Sequence, residues 1–160
     1  AEEIVATYKA GNKVLFCGNG GSAADAQHLA AELTGRYYFD RDPLNAEALH
    51  VNTSYLTAVA NDYDYAEIYS RLIRGKGQQG DVLIGISTSG NSSNVVRALT
   101  TARDMGLITV GLTGKDGGQI KDCCLYHLNV PNNDTPRVQE AHILIGHLIC
   151  EIVEKSLFGK

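Results

Sequence analysis

Three short apolar runs constrain this chain more than anything else in it: "KVLFC" at 13–17, "DVLIGIS" at 81–87 and "LITVGLT" at 107–113. None alternates polar with apolar residues, which is how strands buried on both faces read. Each run ends in a polar, glycine-bearing turn, respectively "GNGGS", "TSGNS" and "GKDGG". Helical patterns follow the first two turns, in "AADAQHLAAELTGR" and "SNVVRALTTARDMG", whereas "QIKDCC" after the third leaves room for a short helix only. Repetition of strand, glycine turn and helix means parallel strands with helices on both faces. Weaker strands at 46–50 and 126–130 bring the count to five. The segment 53–75 reads as two helices broken near Asn61 and Asp62, and 136–157 reads as a closing helix with Pro136 in its first turn. The expected fold class is therefore α/β, a three-layer αβα sandwich around a roughly five-stranded parallel sheet.

Composition narrows the class. A length of 160 residues with 44% hydrophobic content suits one core, so a single domain over 1–160 is expected. Fourteen basic against eighteen acidic residues, a net charge of −4 and no Lys/Arg run argue against nucleic acid as a ligand. No apolar run reaches the roughly 18 residues that span a bilayer, and the N-terminus lacks a signal-peptide pattern, so the expectation is a cytoplasmic protein with no membrane partner. Cys17, Cys123, Cys124 and Cys150 lack metal-ligand spacing and read as reduced, mostly buried thiols. The opening "AEEIVATYKAGNK" reads as the last turns of a helix, which suggests a truncated N-terminal helix.

In open parallel sheets, ligands bind beyond the carboxyl ends of the strands, where helix N-termini point outward. Both glycine-serine turns fall there. The first, Gly18 to Asp25, lets backbone approach a ligand but is neither GxGxxG nor a P-loop, which disfavours a dinucleotide or ATP. The second supplies hydroxyls at Ser87, Thr88, Ser89, Ser92 and Ser93 just before a helix. A helix cap needs one hydroxyl and this turn has five, so it reads as a cradle for a phosphomonoester.

His28 and Glu32 lie four apart on one helix face and could ligate a metal, divide acid and base work, or form a plain surface ion pair. Gln139, His142 and His147 lie on the last helix. For Gln139 and His147 to meet one ligand, His147 must lean toward the helix N-terminus or the two must come from different subunits. Spacing alone favours core roles for His142 and His147. Asn61 and Asp62 are either a loop signal or a site lip.

The segments "CGNGGSAADAQHLAAELTGRY", "ANDY", "GDVLIGISTSGNSSNV", "LTGKDGG" and "DTPRVQEAHILIGHLIC", in this order, resemble the sugar isomerase (SIS) domain family, over about residues 11–155. Within it they are most similar to the enzymes that isomerise heptose phosphates. The resemblance implies the SIS fold, flavodoxin- or Rossmann-like. It also implies an aldose-ketose isomerase converting sedoheptulose 7-phosphate to D-glycero-D-manno-heptose 7-phosphate through an enediol, the first step of heptose synthesis for lipopolysaccharide core or surface glycans. By the same resemblance Glu32 is the general base and His147 the general acid, and His28, Glu32, Gln139 and His147 form a zinc site, one ion per subunit. Ser87, Thr88, Ser89 and Ser92 match the phosphate clamp, while Asn19, Gly20, Gly21, Ser22, Asn61, Asp62 and Gln139 match other substrate contacts. A homotetramer with active sites between subunits is the assembly implied.

Two other readings stay within the fold. One is a non-catalytic adaptor that binds the bacterial replication initiator, and the other is a sugar-phosphate-binding regulatory domain. An adaptor has no use for an acid-base pair, and a regulatory domain of this kind is expected beside a DNA-binding domain, of which these 160 residues show no pattern.

Overall fold

The computed structural model describes residues 1–159. Five strands, β1 (Val14–Gly18), β2 (Ala46–Ala48), β3 (Val82–Ser87), β4 (Ile108–Gly114) and β5 (Tyr126–Val130), form one sheet in the order β2-β1-β3-β4-β5. Every pairing is parallel. The helices are α1 (Glu2–Lys9), α2 (Gly21–Thr34), α3 (Thr53–Asp62), α4 (Ile68–Lys76), α5 (Ser93–Asp104) and α6 (Thr135–Phe158).

The unbroken apolar runs behave as their pattern demands, since all residues of β1 and β3 are buried. Successive side chains feed opposite faces. Val14 and Phe16 join Val82, Ile84 and Ile86 in a core with Leu29 and Leu33 of α2 and Cys150 and Val153 of α6. Leu15, Cys17 and Leu83 enter a second core with Val59, Ile68, Ile73, Val95 and Leu99 from α3, α4 and α5. Burying each such side chain contributes about 1.5–3 kcal/mol. All four cysteines are free thiols, with Cys17, Cys123 and Cys150 buried.

Two elements are shorter than their patterns suggest. β2 keeps three of the five expected residues because it is an edge strand paired only with Val14 to Phe16. In the 53–75 segment α3 stops at Asp62, and a 3₁₀ turn at Tyr65–Glu67 precedes α4. Asp64 starts that turn by accepting the Ala66 N–H at 2.6 Å.

The chain steps outward from β1 to β2 and then crosses back to β3 on the other side. This reversal opens a crevice between the carboxyl ends of β1 and β3, the place where doubly wound sheets bind ligands. Both glycine-serine turns lie at its mouth.

Candidate functional site

The two turns are tied to each other. Asn19, after β1, and Asn94, in the first turn of α5, exchange side-chain amide hydrogen bonds of 2.9 and 2.8 Å. Gly20 adopts a φ of 54°, which a side chain would strain, and so turns the chain into α2. Any Cβ on Gly21 would collide with the Gln139 side-chain amide, so glycine here lets α6 close onto the head of α2. Ser22 is buried in the first turn of α2.

In the second turn Ser87 is buried, and its hydroxyl lies 2.9 Å from that of Ser92 and 3.3 Å from that of Ser89. Ser92 is the N-cap of α5, yet its hydroxyl makes no capping bond. Three hydroxyls thus converge at the open end of a helix, whose N–H groups and dipole favour an anion. Thr88 is half-buried within the same turn. The "GKDGG" loop closes over it, with Gln119 N–H donating to Asn91 Oδ1 and Ile120 N–H to the Gly90 carbonyl, each at 3.0 Å.

Asn61 and Asp62 occupy the exposed last turn of α3, where the Asn61 amide donates to Asp62 Oδ1 at 2.9 Å. Neither hydrogen-bonds to the two turns. Tyr65, just beyond them, does reach the first turn, donating to Asn19 Oδ1 at 3.3 Å.

A second group forms where α2 packs beside α6. Their contacts advance in step, from Gly21 against Gln139 to Leu29 against Gly146, and this register brings His147 to His28. His28 Nε2 lies 3.2 Å from Glu32 Oε1 and 2.9 Å from His147 Nε2. One of the two imidazoles carries the proton in that contact and the other accepts it. The three donor atoms all lie within 4.8 Å of one another. Because they come from one chain, no second subunit is needed to assemble them. Gln139 is placed two turns before His147, at the glycine turn.

His142 is the core histidine of α6. It is fully buried and its Nε2–H donates to the Thr113 carbonyl at 3.0 Å, while burial holds its pKa below the ordinary value. Three further residues border the site. Asn94 links the turns, Tyr37 stands over His147 with ring centroids 5.9 Å apart, and Asp25 lies one turn before His28. Burial raises the Asp25 pKa, against the pull of His142, His28 and His147. Its i,i+3 spacing to His28 was the available signal; nothing local marks Tyr37 or Asn94.

The SIS domain family matches residues 1–114. Phosphoheptose isomerase of Clostridium acetobutylicum is 57% identical over 159 residues, covering 99% of this chain and 81% of that protein. The chain belongs to the SIS domain family. Among solved structures of the family, phosphoheptose isomerase from Neisseria gonorrhoeae superposes with a TM-score of 0.91 at 45% identity, and that from Francisella tularensis with 0.93 at 34%. Each match covers 96% of this chain and 82% of the other.

Chemically, the chain carries three hydroxyls at the head of α5, which suit an anion, and, where α2 packs beside α6, two imidazoles and a carboxylate. That set can move protons at neutral pH. It is also a donor set that zinc accepts, with two nitrogen ligands and one oxygen ligand close enough to share an ion.

Proposed function

We propose that the protein is a phosphoheptose isomerase that interconverts sedoheptulose 7-phosphate and D-glycero-D-manno-heptose 7-phosphate. The observation that carries this reading is the convergence of His28, Glu32 and His147 where α2 packs beside α6. The phosphate is held by the hydroxyls of Ser87, Ser89 and Ser92 with Thr88 and the N–H groups at the head of α5. Asn19, Gly20, Gly21, Ser22 and Gln139 face the sugar chain, and Asn61 and Asp62 form its outer lip.

With the substrate's C1 against Glu32, the carboxylate removes a C1 proton as His147 protonates the C2 carbonyl oxygen, which gives the enediol. Glu32 then returns its proton to C2 while the O1 hydroxyl proton passes to His147, leaving the C1 aldehyde. Each residue ends as it began. A general base and acid so placed contribute roughly 10²–10⁴-fold each. In the alternative, metal-assisted form, zinc held by His28, Glu32, Gln139 and His147, one ion per subunit, would supply Lewis-acid polarisation of the carbonyl oxygen in place of proton donation by His147.

The assembly proposed is a homotetramer. Leu144, Leu148 and Ile152 form an exposed apolar stripe on α6, beside a groove of about 450 Å³ lined by Ile4, Val110, Tyr126 and Leu128. Apolar surface of this kind favours cover by another copy. Among the described residues no helix is long and apolar enough to cross a membrane. We take the protein to act in the cytoplasm, supplying heptose for lipopolysaccharide core or surface glycans.

The decisive experiment incubates the protein with sedoheptulose 7-phosphate, with and without a chelator, and follows the aldose by NMR. Product lost on chelation and restored by zinc supports the metal-assisted form. Product indifferent to chelation supports acid-base catalysis alone. No product under any metal supplement overturns the isomerase reading.

A further inference from the structure

Beyond the proton-transfer group, the loop that follows α2 meets α6 at a second polar contact that is deeply buried. The side chains of Arg41 and Glu154 are 2% and 1% exposed, and Arg41 Nε donates to Glu154 Oε1 at 3.0 Å. The carboxylate's remaining acceptor positions are filled. Glu154 Oε1 accepts the Tyr37 N–H at 2.9 Å, and Oε2 accepts those of Tyr38 and Phe39 at 2.6 and 3.1 Å. Burial alone would raise the Glu154 pKa, but these N–H groups and Arg41 outweigh it and hold the carboxyl below its ordinary value. The rest of the guanidinium caps the end of α2, donating to the carbonyls of Leu33 at 2.8 Å, Glu32 at 3.0 Å and Gly35 at 3.3 Å.

The consequence lies in which residues these contacts hold. Arg41 grips the main chain of Glu32 itself, while Glu154 lies seven residues, two helical turns, past His147 on α6. Tyr37, whose N–H the carboxylate holds, carries the ring that stands over His147. An isolated buried ion pair is a poor source of stability, because desolvation offsets attraction. This one instead ties together the three segments that carry Glu32, His147 and Tyr37.

We propose that Arg41 and Glu154 are positioning residues, a buried pair that sets Glu32 of α2 against His147 of α6 and holds Tyr37 over the His147 ring. Its kinetic readout rests on the isomerase reading; its structural readout does not. Arg41→Lys keeps the charge opposite Glu154 but loses the planar fork that reaches the Glu32 and Leu33 carbonyls. A double variant, Arg41→Met with Glu154→Gln, removes both charges, leaves none buried alone, and keeps an amide oxygen for the Tyr37–Phe39 N–H groups.

The test combines steady-state kinetics on sedoheptulose 7-phosphate, thermal melting, and NMR of the histidine imidazoles. For both variants the expected result is a folded protein with kcat down about 10–100-fold, as for a small misplacement of catalytic groups. KM should stay within about threefold, since the serine turn is untouched, and the His28 and His147 imidazole signals should shift. A folded variant with wild-type kcat and unshifted imidazole signals overturns the proposal. So does failure of both variants to fold, which makes the pair purely architectural. If the wild type itself does not turn over the sugar, the isomerase reading fails, and the imidazole signals alone decide whether the pair sets this geometry.

Discussion

The serine turn and the contact between α2 and α6 are made by opposite means. The turn is built from neighbours in sequence, Ser87 to Ser92, and from the backbone of the helix that follows. The helix contact is built from side chains 119 positions apart, His28 and His147, and a deeply buried polar pair supports it. Local sequence is enough to make an anion cradle, because the helix N-terminus supplies most of the recognition. A proton-transfer pair needs tertiary packing to set its distance. The two regions should therefore fail differently: the turn by losing affinity, the helix contact by losing rate.

The largest expected effect tests that division directly. Glu32→Gln should lower kcat by roughly 10³-fold while leaving KM within about tenfold, since a base acts in the transition state. Steady-state kinetics on the sugar phosphate would check it, and equal losses in both parameters would move Glu32 to a binding role. Gly21→Ala attacks the joint between the regions. The added methyl must push away the amide end of the flexible Gln139 side chain, which the proposed function sets against the sugar. A displacement near 1 Å costs about 10²-fold in rate. Full activity in this variant would show that the placement of the Gln139 amide does not control the chemistry.

The same contrast explains what could be read from the residues alone. The five strands, their parallel pairing and the position of both turns follow from apolar runs punctuated by glycine, because those signals are local. β2 came out shorter than its apolar stretch for want of a second neighbour, and the break after Asp62 was extended by the Asp64 turn. The helix contact was a different matter. Spacing left His28 and Glu32 open between an ion pair and a site, and it favoured a core role for His147; only family resemblance gave these residues chemistry. What spacing lacks is the angle between helices, which small residues such as Gly21 and Gly146 set by close approach. Arg41 and Glu154 carried no legible signal at all, since a buried charge looks like a surface charge until its partner is found.

A smaller effect is expected from the turn. Ser89→Ala removes one hydroxyl from a group of three, with Ser87 and Ser92 still in place. One hydrogen bond to a charged group supports roughly a tenfold rise in KM with kcat unchanged. Inorganic phosphate should lose affinity as an inhibitor by the same factor. An unchanged KM would remove the turn from the binding site and collapse the distinction between the two regions.

The smallest effect concerns pH, because the turn's hydroxyls and N–H groups do not titrate near neutrality, whereas α6 carries a buried histidine besides His147. His142 is fully buried, its Nδ1 has no hydrogen-bond partner, and burial holds its pKa below the ordinary 6.5 despite the Thr113 carbonyl and Asp25. Below pH 6.5 the unfolded chain therefore takes up a proton that the folded chain refuses. Stability must fall as the pH drops from 6.5 toward the folded-state value. His50 is shifted in the same direction by burial, whereas Asp25 is shifted upward and works the opposite way, holding its proton more tightly when folded. The comparison that isolates His142 is thermal melting of the wild type and His142→Gln at pH 7 and pH 5.5. The wild type should lose stability more steeply, by no more than about 1.4 kcal/mol per pH unit for one proton. For a chain of this size that is a difference of roughly 3–5 °C per unit. Parallel slopes would mean that His142 takes up its proton as readily in the folded protein as in the unfolded chain, with its Nδ1 paired once charged.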